Sequence, residues 1–143
     1  MLLKVKKDSE SINLRLGTKE SAGIDLPAFI PEDVIIEPGK TESIGTGIHL
    51  EIPRGYFGGV FARSGLAMRE GLRPANCVGI VDSDYRGEVK VAIHNDSQEE
   101  RVIKNGEYIA QLVIIPFIPV NLVEFENLSD TDRGDNGFGS TGK

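Results

Sequence analysis

The stretch "NCVGIVDSDYRG", residues 76–87, brings an amide, two carboxylates and a phenol close together in sequence. A carboxylate held within hydrogen-bond reach of a water can take its proton and make it a nucleophile. Other polar, Gly-punctuated stretches accompany this one: "AGIDL" (22–26), "ARSGLA" (62–67), "GEYIAQL" (106–112) and "RGDNGFGSTG" (133–142). Each alone has a bland reading. "RSG" could be a turn, Asp25 the buried cap of another, and "GIVDSDYRG" a hairpin with solvated carboxylates. The ending "GFGSTGK", 137–143, fits the first seven places of the phosphate-cradling pattern G-x-x-x-x-G-K-[ST]. The hydroxyl residue and the helix that this pattern needs do not follow. Either the match is accidental, or the tail meets phosphates in another way.

Several common chemistries find no support. His49 and His94 lie far apart, with no H-x-x-x-H spacing and no cysteine cluster, so a zinc site built by the protein is not expected. No G-x-S-x-G elbow occurs. Cys77, the single cysteine, is expected as a small buried thiol; it allows no internal disulfide, which fits a reducing cytoplasm. The formal net charge of -6 repels polyanions and argues against broad nucleic-acid binding. An anionic substrate would need a local arginine patch, with a metal ion to help. The opening "MLLKVKKDSE" has too short an apolar run for a signal peptide or a membrane span, so a soluble cytoplasmic protein is expected.

The elements that must position these stretches are strands. In "ESIGTGIHLEI", Ile44, Thr46, Ile48, Leu50 and Ile52 alternate with small or polar residues, and Val89, Val91 and Ile93 do so in "EVKVAIHN". Period two marks a half-buried strand. Turn signals stand at 37–40, 53–56, 85–88 and 105–107. "IAQLVIIPFIPV", Ile109–Val120, reads as a strand buried on both faces, with Pro116 and Pro119 excluding a long helix. The single helical stretch is "SGLAMREG", 64–71. At 143 residues the chain suffices for one domain that buries roughly 70% of its unfolded surface. An all-β sandwich or barrel over 1–125 is expected, followed from about Glu126 by a tail rich in Asp, Gly and Ser. Its plain reading is a flexible tail; Phe138, alone among glycines, also suits a strap closing over a ligand.

Taken together, in this order and spacing, the five stretches closely resemble the five motifs of the trimeric dUTP pyrophosphatase (dUTPase) family, of the bacterial or phage-like type. The resemblance covers essentially the whole chain. It implies a jelly-roll-like fold (β-clip) and a homotrimer whose active sites are shared between subunits. It also implies Mg²⁺-dependent hydrolysis of dUTP to dUMP and pyrophosphate, which keeps uracil out of DNA and supplies dUMP for dTMP synthesis.

Motif by motif, the resemblance makes Asp82 the catalytic base for attack of water on the α-phosphorus. Tyr85 becomes the ring that senses the deoxyribose. Asn76 and the backbone of Gly79, Ile80 and Val81 become the uracil contacts, leaving cytosine with unpaired groups. Arg63, Ser64 and Gly65 become phosphate ligands: planar donors, a hydroxyl, and a backbone that can be approached closely, with the amides of the short helix also aimed at the phosphates. Gln111, polar within an apolar run, must find a partner, and the family supplies the triphosphate and neighbouring groups. Asp25 stands behind the metal waters; Mg²⁺ takes its ligands largely from phosphates and water, so no protein cage is needed. In the fifth motif Phe138 would stack on uracil, while Arg133, Gly139, Ser140 and Thr141 would reach the phosphates of a neighbouring site as residues 126–143 close over it. Lys143, which completes the P-loop look-alike, has no such role. Two positions depart from the commoner pattern: Ile24 replaces a Tyr, and Ala62 replaces a Pro before "RSG". dCTP deaminases resemble this family, but their required glutamate would fall at about Ala92, which cannot transfer a proton. A binding protein that keeps the fold without turnover would have no need of Asp82, Tyr85 and a complete arm.

Overall fold

The computed structural model of the chain describes residues 1–137. The strands among them are β1 (Lys4–Lys7), β2 (Arg15–Leu16), β3 (Ile24–Pro27), β4 (Val34–Ile36), β5 (Thr41–Gly45) and β6 (Ile48–Glu51). They continue with β7 (Tyr56–Phe61), β8 (Leu72–Pro74), β9 (Val78–Val81), β10 (Lys90–Asn95), β11 (Arg101–Ile103) and β12 (Tyr108–Pro116), and one helix, α1 (Ser64–Glu70), lies between β7 and β8. None of the described helical residues forms a segment long and apolar enough to cross a membrane.

The sheets are small and packed around one core. The largest has the order β2-β3-β12-β7-β9; a second has β5-β10-β8, and β1-β6 and β11-β4 form two-stranded ribbons. All registered pairs are antiparallel. The period-two residues do what their spacing predicts. Ile44, Ile48, Leu50, Ile52, Val89, Val91 and Ile93 are all buried, with Leu26, Ile36, Leu72, Ile103, Ile109 and Leu112. Each such aliphatic side chain contributes about 1.5–3 kcal/mol by leaving water. Among the described residues, Thr46 and Asn95 are the buried polar side chains. Thr46 Oγ1 donates to the Val89 carbonyl at 2.6 Å, and Asn95 Nδ2 donates to those of Ile36 and Glu99, both at 2.8 Å. Burying them is tolerable because their hydrogen-bonding groups find partners.

Several expectations need correction. The run at 44–52 is not one strand. It breaks between β5 and β6 at Gly47, whose φ of +63° suits glycine and sends the chain into the β1–β6 ribbon. The apolar run at 109–120 is a strand only as far as Pro116. Beyond it Phe117, Ile118 and Val120 are exposed, with Phe117 meeting Phe57 of β7 edge-on, because the second proline interrupts any ladder. Cys77 is exposed rather than buried. It turns the chain from β8 into β9 with a φ of +63°, which points its thiol outward near Arg73. "GIVDSDYRG" is not a hairpin either: β9 pairs with β7 and β10 pairs with β5 and β8, so this segment crosses from one sheet to another.

Candidate active site

One row across the largest sheet assembles three of the motifs. Arg15 of β2 lies opposite Asp25 of β3, Asp25 opposite Gln111 of β12, and Gln111 opposite Phe61 at the end of β7. Opposed residues in a sheet share a face, so the polar side chains of this row meet although they are remote in sequence. Arg63 follows β7 by two residues and enters the same place as the start of α1. Its Nε donates to Asp25 Oδ1 at 3.0 Å, and its Nη1 donates to the Tyr108 carbonyl at 2.9 Å. Arg15 Nε donates to the other oxygen, Oδ2, at 3.0 Å. The Asp25 carboxylate thus bridges two guanidiniums, both over the Tyr108 ring at 4.3 and 5.6 Å from its centroid. Gln111 Nε2 donates to the Ala62 carbonyl at 2.8 Å and fixes the backbone just before Arg63. Gly23 is close-packed against this amide; a Cβ there would collide with Gln111 Oε1.

The result is an open depression of about 210 Å³ lined by Asp25, Arg63, Ser64, Gly65, Arg69 and Gln111. Its donors are guanidinium, hydroxyl and amide groups, and its acceptors are oxygens. That set suits a phosphate chain. Among the described residues no group of three or more His, Cys, Asp or Glu could hold a metal ion by itself.

The third motif forms a separate place. Strand β9 is the edge of the largest sheet, with Gly79 opposite Val60, Ile80 opposite Gly59 and Val81 opposite Gly58. An edge strand leaves part of its backbone N–H and C=O groups unpaired, and Gly79–Val81 can present them to a ligand. The Asn76 amide packs beside Gly79: a Cβ added there would lie 3.5 Å from Nδ2. Beyond β9 the chain turns, with the Tyr85 N–H donating to the Asp82 carbonyl at 3.1 Å. The Tyr85 hydroxyl donates to the Glu88 carbonyl at 3.0 Å, and the ring folds over Gly87. Glu88 in turn accepts the Gly47 N–H at 2.9 Å, tying this crossover to the β5–β6 turn. Arg86 Nη1 donates to the carbonyls of Ser83, at 2.7 Å, and Tyr85, at 3.0 Å. A depression of about 260 Å³ is lined by Ile80, Val81, Asp82, Tyr85, Glu88, Val89 and Lys90. Asp82 is exposed, and its carboxylate makes no hydrogen bond to any described residue.

Behind the crossover, His49 Nδ1 stands 3.0 Å from the Arg86 carbonyl and Nε2 stands 3.1 Å from Asp8 Oδ1. Both neighbours accept, so the doubly protonated ring satisfies both. The Arg86 carbonyl, then Asp8, holds the His49 pKa above its ordinary value against the opposing effect of burial. The Arg73–Asp96 pair, at 2.6 and 3.1 Å, braces the start of the Asn76 turn and holds the Asp96 carboxyl below its ordinary range.

The sequence-derived residues therefore fall into two groups. Asp25, Arg63, Ser64, Gly65 and Gln111 come together; Asn76, Gly79, Ile80, Val81, Asp82 and Tyr85 form the other cluster. Arg133 belongs to neither. It sits in an exposed turn, with its Nε donating to the Asn136 carbonyl at 2.8 Å. Phe138, Gly139, Ser140, Thr141 and Lys143 lie outside the described residues. Arg15, Tyr108, Arg69 and Glu88 were not singled out by sequence reasoning. Arg69 had a usable signal, since it stands four residues after Gly65 on a helix and hence on the same face. Arg15 had only a weak one, a charge between Leu14 and Leu16.

The dUTPase family model matches residues 9–142. The chain is 50% identical to the deoxyuridine 5'-triphosphate nucleotidohydrolase of Nautilia profundicola, covering 100% of both chains. It is 46% identical to that of Desulfitobacterium hafniense, over 96% of this chain and 92% of the relative. Among solved structures it resembles the Staphylococcus bacteriophage 80alpha dUTPase with dUPNHPP. That match has a TM-score of 0.83 and 30% identity, and covers 99% of each chain. Sequence and fold agree: this chain belongs to the dUTPase family.

Proposed function

We propose that the chain hydrolyses dUTP to dUMP and pyrophosphate, and that it does so as a homotrimer. The observation that carries this reading is full-length identity of 50% to a dUTP nucleotidohydrolase, joined to motif residues gathered into a phosphate-suited and a base-suited cluster. The uracil edge would meet the Asn76 amide and the backbone of Gly79, Ile80 and Val81. The deoxyribose would lie on the Tyr85 ring, held by its bond to the Glu88 carbonyl. The triphosphate would take the donors of Arg63, Ser64 and the Gly65 backbone, with Gln111 alongside.

Asp82 accepts a proton from a water as its oxygen attacks the α-phosphorus, and pyrophosphate leaves in line with the attack. When bound, Mg²⁺ would neutralise the triphosphate and the leaving pyrophosphate. It would be held chiefly by phosphate oxygens and its own waters, and no direct protein ligand is required. Asp25, with both carboxylate oxygens already in ion pairs, holds Arg63 in place.

Assembly is supported by the separation of the two clusters, since one substrate must meet both. It is also supported by apolar surface beside Asp82. Phe57, Ile80, Asp82 and Phe117 line a shallow depression of about 190 Å³, and Ile118, Val120, Leu122, Val123 and Phe125 continue the apolar run in exposed positions. So much exposed apolar surface suits burial against further copies of the chain. In this reading residues 126–143 cross to a neighbouring site, where Phe138 stacks on uracil and Arg133, Gly139, Ser140 and Thr141 meet the phosphates. The product would enter dTMP synthesis in the cytoplasm, and removal of dUTP would keep uracil out of DNA.

The direct test is pyrophosphate release from dUTP beside dCTP, dTTP and UTP. Preference for dUTP is expected, and equal turnover of dCTP would overturn the reading. In ¹⁸O-water the label should enter dUMP; label in pyrophosphate would place the attack elsewhere. For the shared site, Asp82→Asn chains mixed with chains truncated after Asp132 should regain part of the activity. No recovery despite proven subunit exchange would count against that geometry.

A further inference from the structure

The depression that receives phosphate in this reading holds one arginine that no motif includes. Arg63 is already engaged: one donor goes to Asp25 and another to the Tyr108 carbonyl. Its charge is matched by a carboxylate that also binds Arg15. Arg69 also lines the depression, and it makes no ion pair or hydrogen bond through its side chain to any described residue. The lining therefore carries one carboxylate against two guanidiniums, and the uncompensated one is Arg69.

Helix geometry puts it there. Residues four apart share a face, and helical side chains lean back towards the N-terminus. Arg69 accordingly reaches back over Gly65. A Cβ added to Gly65 would stand 3.0 Å from Arg69 Nη2, 3.4 Å from Cζ and 3.5 Å from Nη1. Near-equal distances to three atoms of a planar group mean that the guanidinium lies across the glycine. Gly65 thus gives close access to its backbone and also leaves room for a second cation beside Ser64. The bland alternative is a solvated arginine in the last turn of a helix, where a positive charge is mildly favourable. That alternative predicts an effect on stability and none on ligand discrimination.

We infer that Arg69 is a second phosphate-binding residue of this site, neutralising polyphosphate charge that the Arg63–Asp25 pair leaves unmatched, and that Gly65 is the residue that lets it do so. The inference rests on the phosphate reading of the depression. It predicts a contribution that grows with the number of phosphates, because the nucleoside and its first phosphate are held largely by other groups.

The test compares the full-length wild type with Arg69→Gln, Arg69→Lys and Gly65→Ala, using α,β-imido-dUTP, dUMP and inorganic triphosphate as titrants. A charge-assisted contact is worth about tenfold in affinity. Arg69→Gln should bind α,β-imido-dUTP about tenfold more weakly, with dUMP affinity within twofold of wild type and the KM for dUTP rising more than kcat falls. Arg69→Lys should recover part of the loss. Gly65→Ala, which displaces a flexible guanidinium rather than backbone, should weaken the triphosphate selectively without lowering the melting temperature. Unchanged triphosphate affinity in Arg69→Gln, or equal losses for dUMP and the triphosphate, would overturn the inference. Inorganic triphosphate separates this outcome from failure of the nucleotide reading. If the wild type does not turn over dUTP, yet Arg69→Gln still binds inorganic triphosphate more weakly, the phosphate site stands and the substrate assignment falls.

Discussion

The two clusters of motif residues are built on opposite principles. Around Asp25 every charged group except Arg69 is tied to another: two guanidiniums share one carboxylate, a backbone carbonyl takes a further N–H, and Gln111 clamps Ala62. That network sets the geometry for binding before any ligand arrives. Around Asp82 the anchoring is done by the backbone and by Tyr85, Arg86 and Glu88, while the carboxylate itself stays exposed and unbonded to described residues. In the proposed reaction Asp82 takes a proton from water, and an exposed carboxylate leaves room for that water. Groups that hold charge are preorganised; the proposed base is left accessible.

The largest effect expected from this contrast is on activity without stability. Asp82→Asn should lower kcat about a thousandfold, the usual scale for a lost general base, while the melting temperature stays within error of wild type. A marked fall in melting temperature would mean that Asp82 also holds structure, and the contrast would fail. Asp25→Asn should behave differently. It leaves Arg15 and Arg63 without their shared counter-ion, so stability should drop by about 1–3 kcal/mol. Activity should fall about tenfold to a hundredfold through loss of Arg63 placement. Denaturant unfolding beside steady-state kinetics checks both, and loss of activity alone would show that the ion pairs do not support the fold.

Tyr85→Phe sharpens the comparison inside the second cluster. The substitution keeps the ring over Gly87 and removes only the hydrogen bond to the Glu88 carbonyl. A single such bond is worth about 0.5–1.5 kcal/mol. The preference for dUTP over UTP should therefore fall about two- to tenfold, with kcat for dUTP little changed. An unaltered preference would mean that ring packing alone orients Tyr85.

How much of this was readable beforehand follows from the distances over which the signals act. Period-two runs such as Val89–Ile93 report burial directly, because each side chain faces the core or solvent according to its own position. The helix at 64–70 was readable for a similar reason, since it is a local structure ended by Gly71 in a left-handed conformation. Pairing partners were not readable. Nothing near "GIVDSDYRG" says that β9 pairs with β7 rather than β10, and nothing near Arg15 says that it will face Asp25. Those facts arise from sheet order, which links segments remote in sequence. The motif residues themselves were found through family resemblance, whereas Arg69 emerged only once Arg63 was seen to be engaged. Cys77 failed as a core expectation because the turn chemistry of "PANC" decided its side-chain direction before hydrophobicity could.

The smallest expected effect concerns His49, which stabilises the Asp82 crossover from behind. Its Nδ1–H donates to the Arg86 carbonyl and its Nε2–H faces Asp8, while Lys6 opposes the charged form across the β1–β6 ribbon. The charged groups nearby on the packed elements are Lys4, Lys6, Asp8, Glu51 and Arg86. The folded pKa is raised above the ordinary 6.5, so folding binds the proton more tightly than the unfolded chain does. The resulting stabilisation is complete below pH 6.5 and is lost as the pH rises through the folded value. Unfolding midpoints should thus decline modestly from about pH 6 to pH 8 in the wild type. His49→Gln, which retains one donor and removes the titration, should flatten that slope. The catalytic pH profile should move less than the stability profile, because His49 contacts the carbonyl of Arg86 and not Asp82. Equal slopes in wild type and His49→Gln would place the pH response elsewhere and leave the crossover held by Glu88 and Arg86 alone.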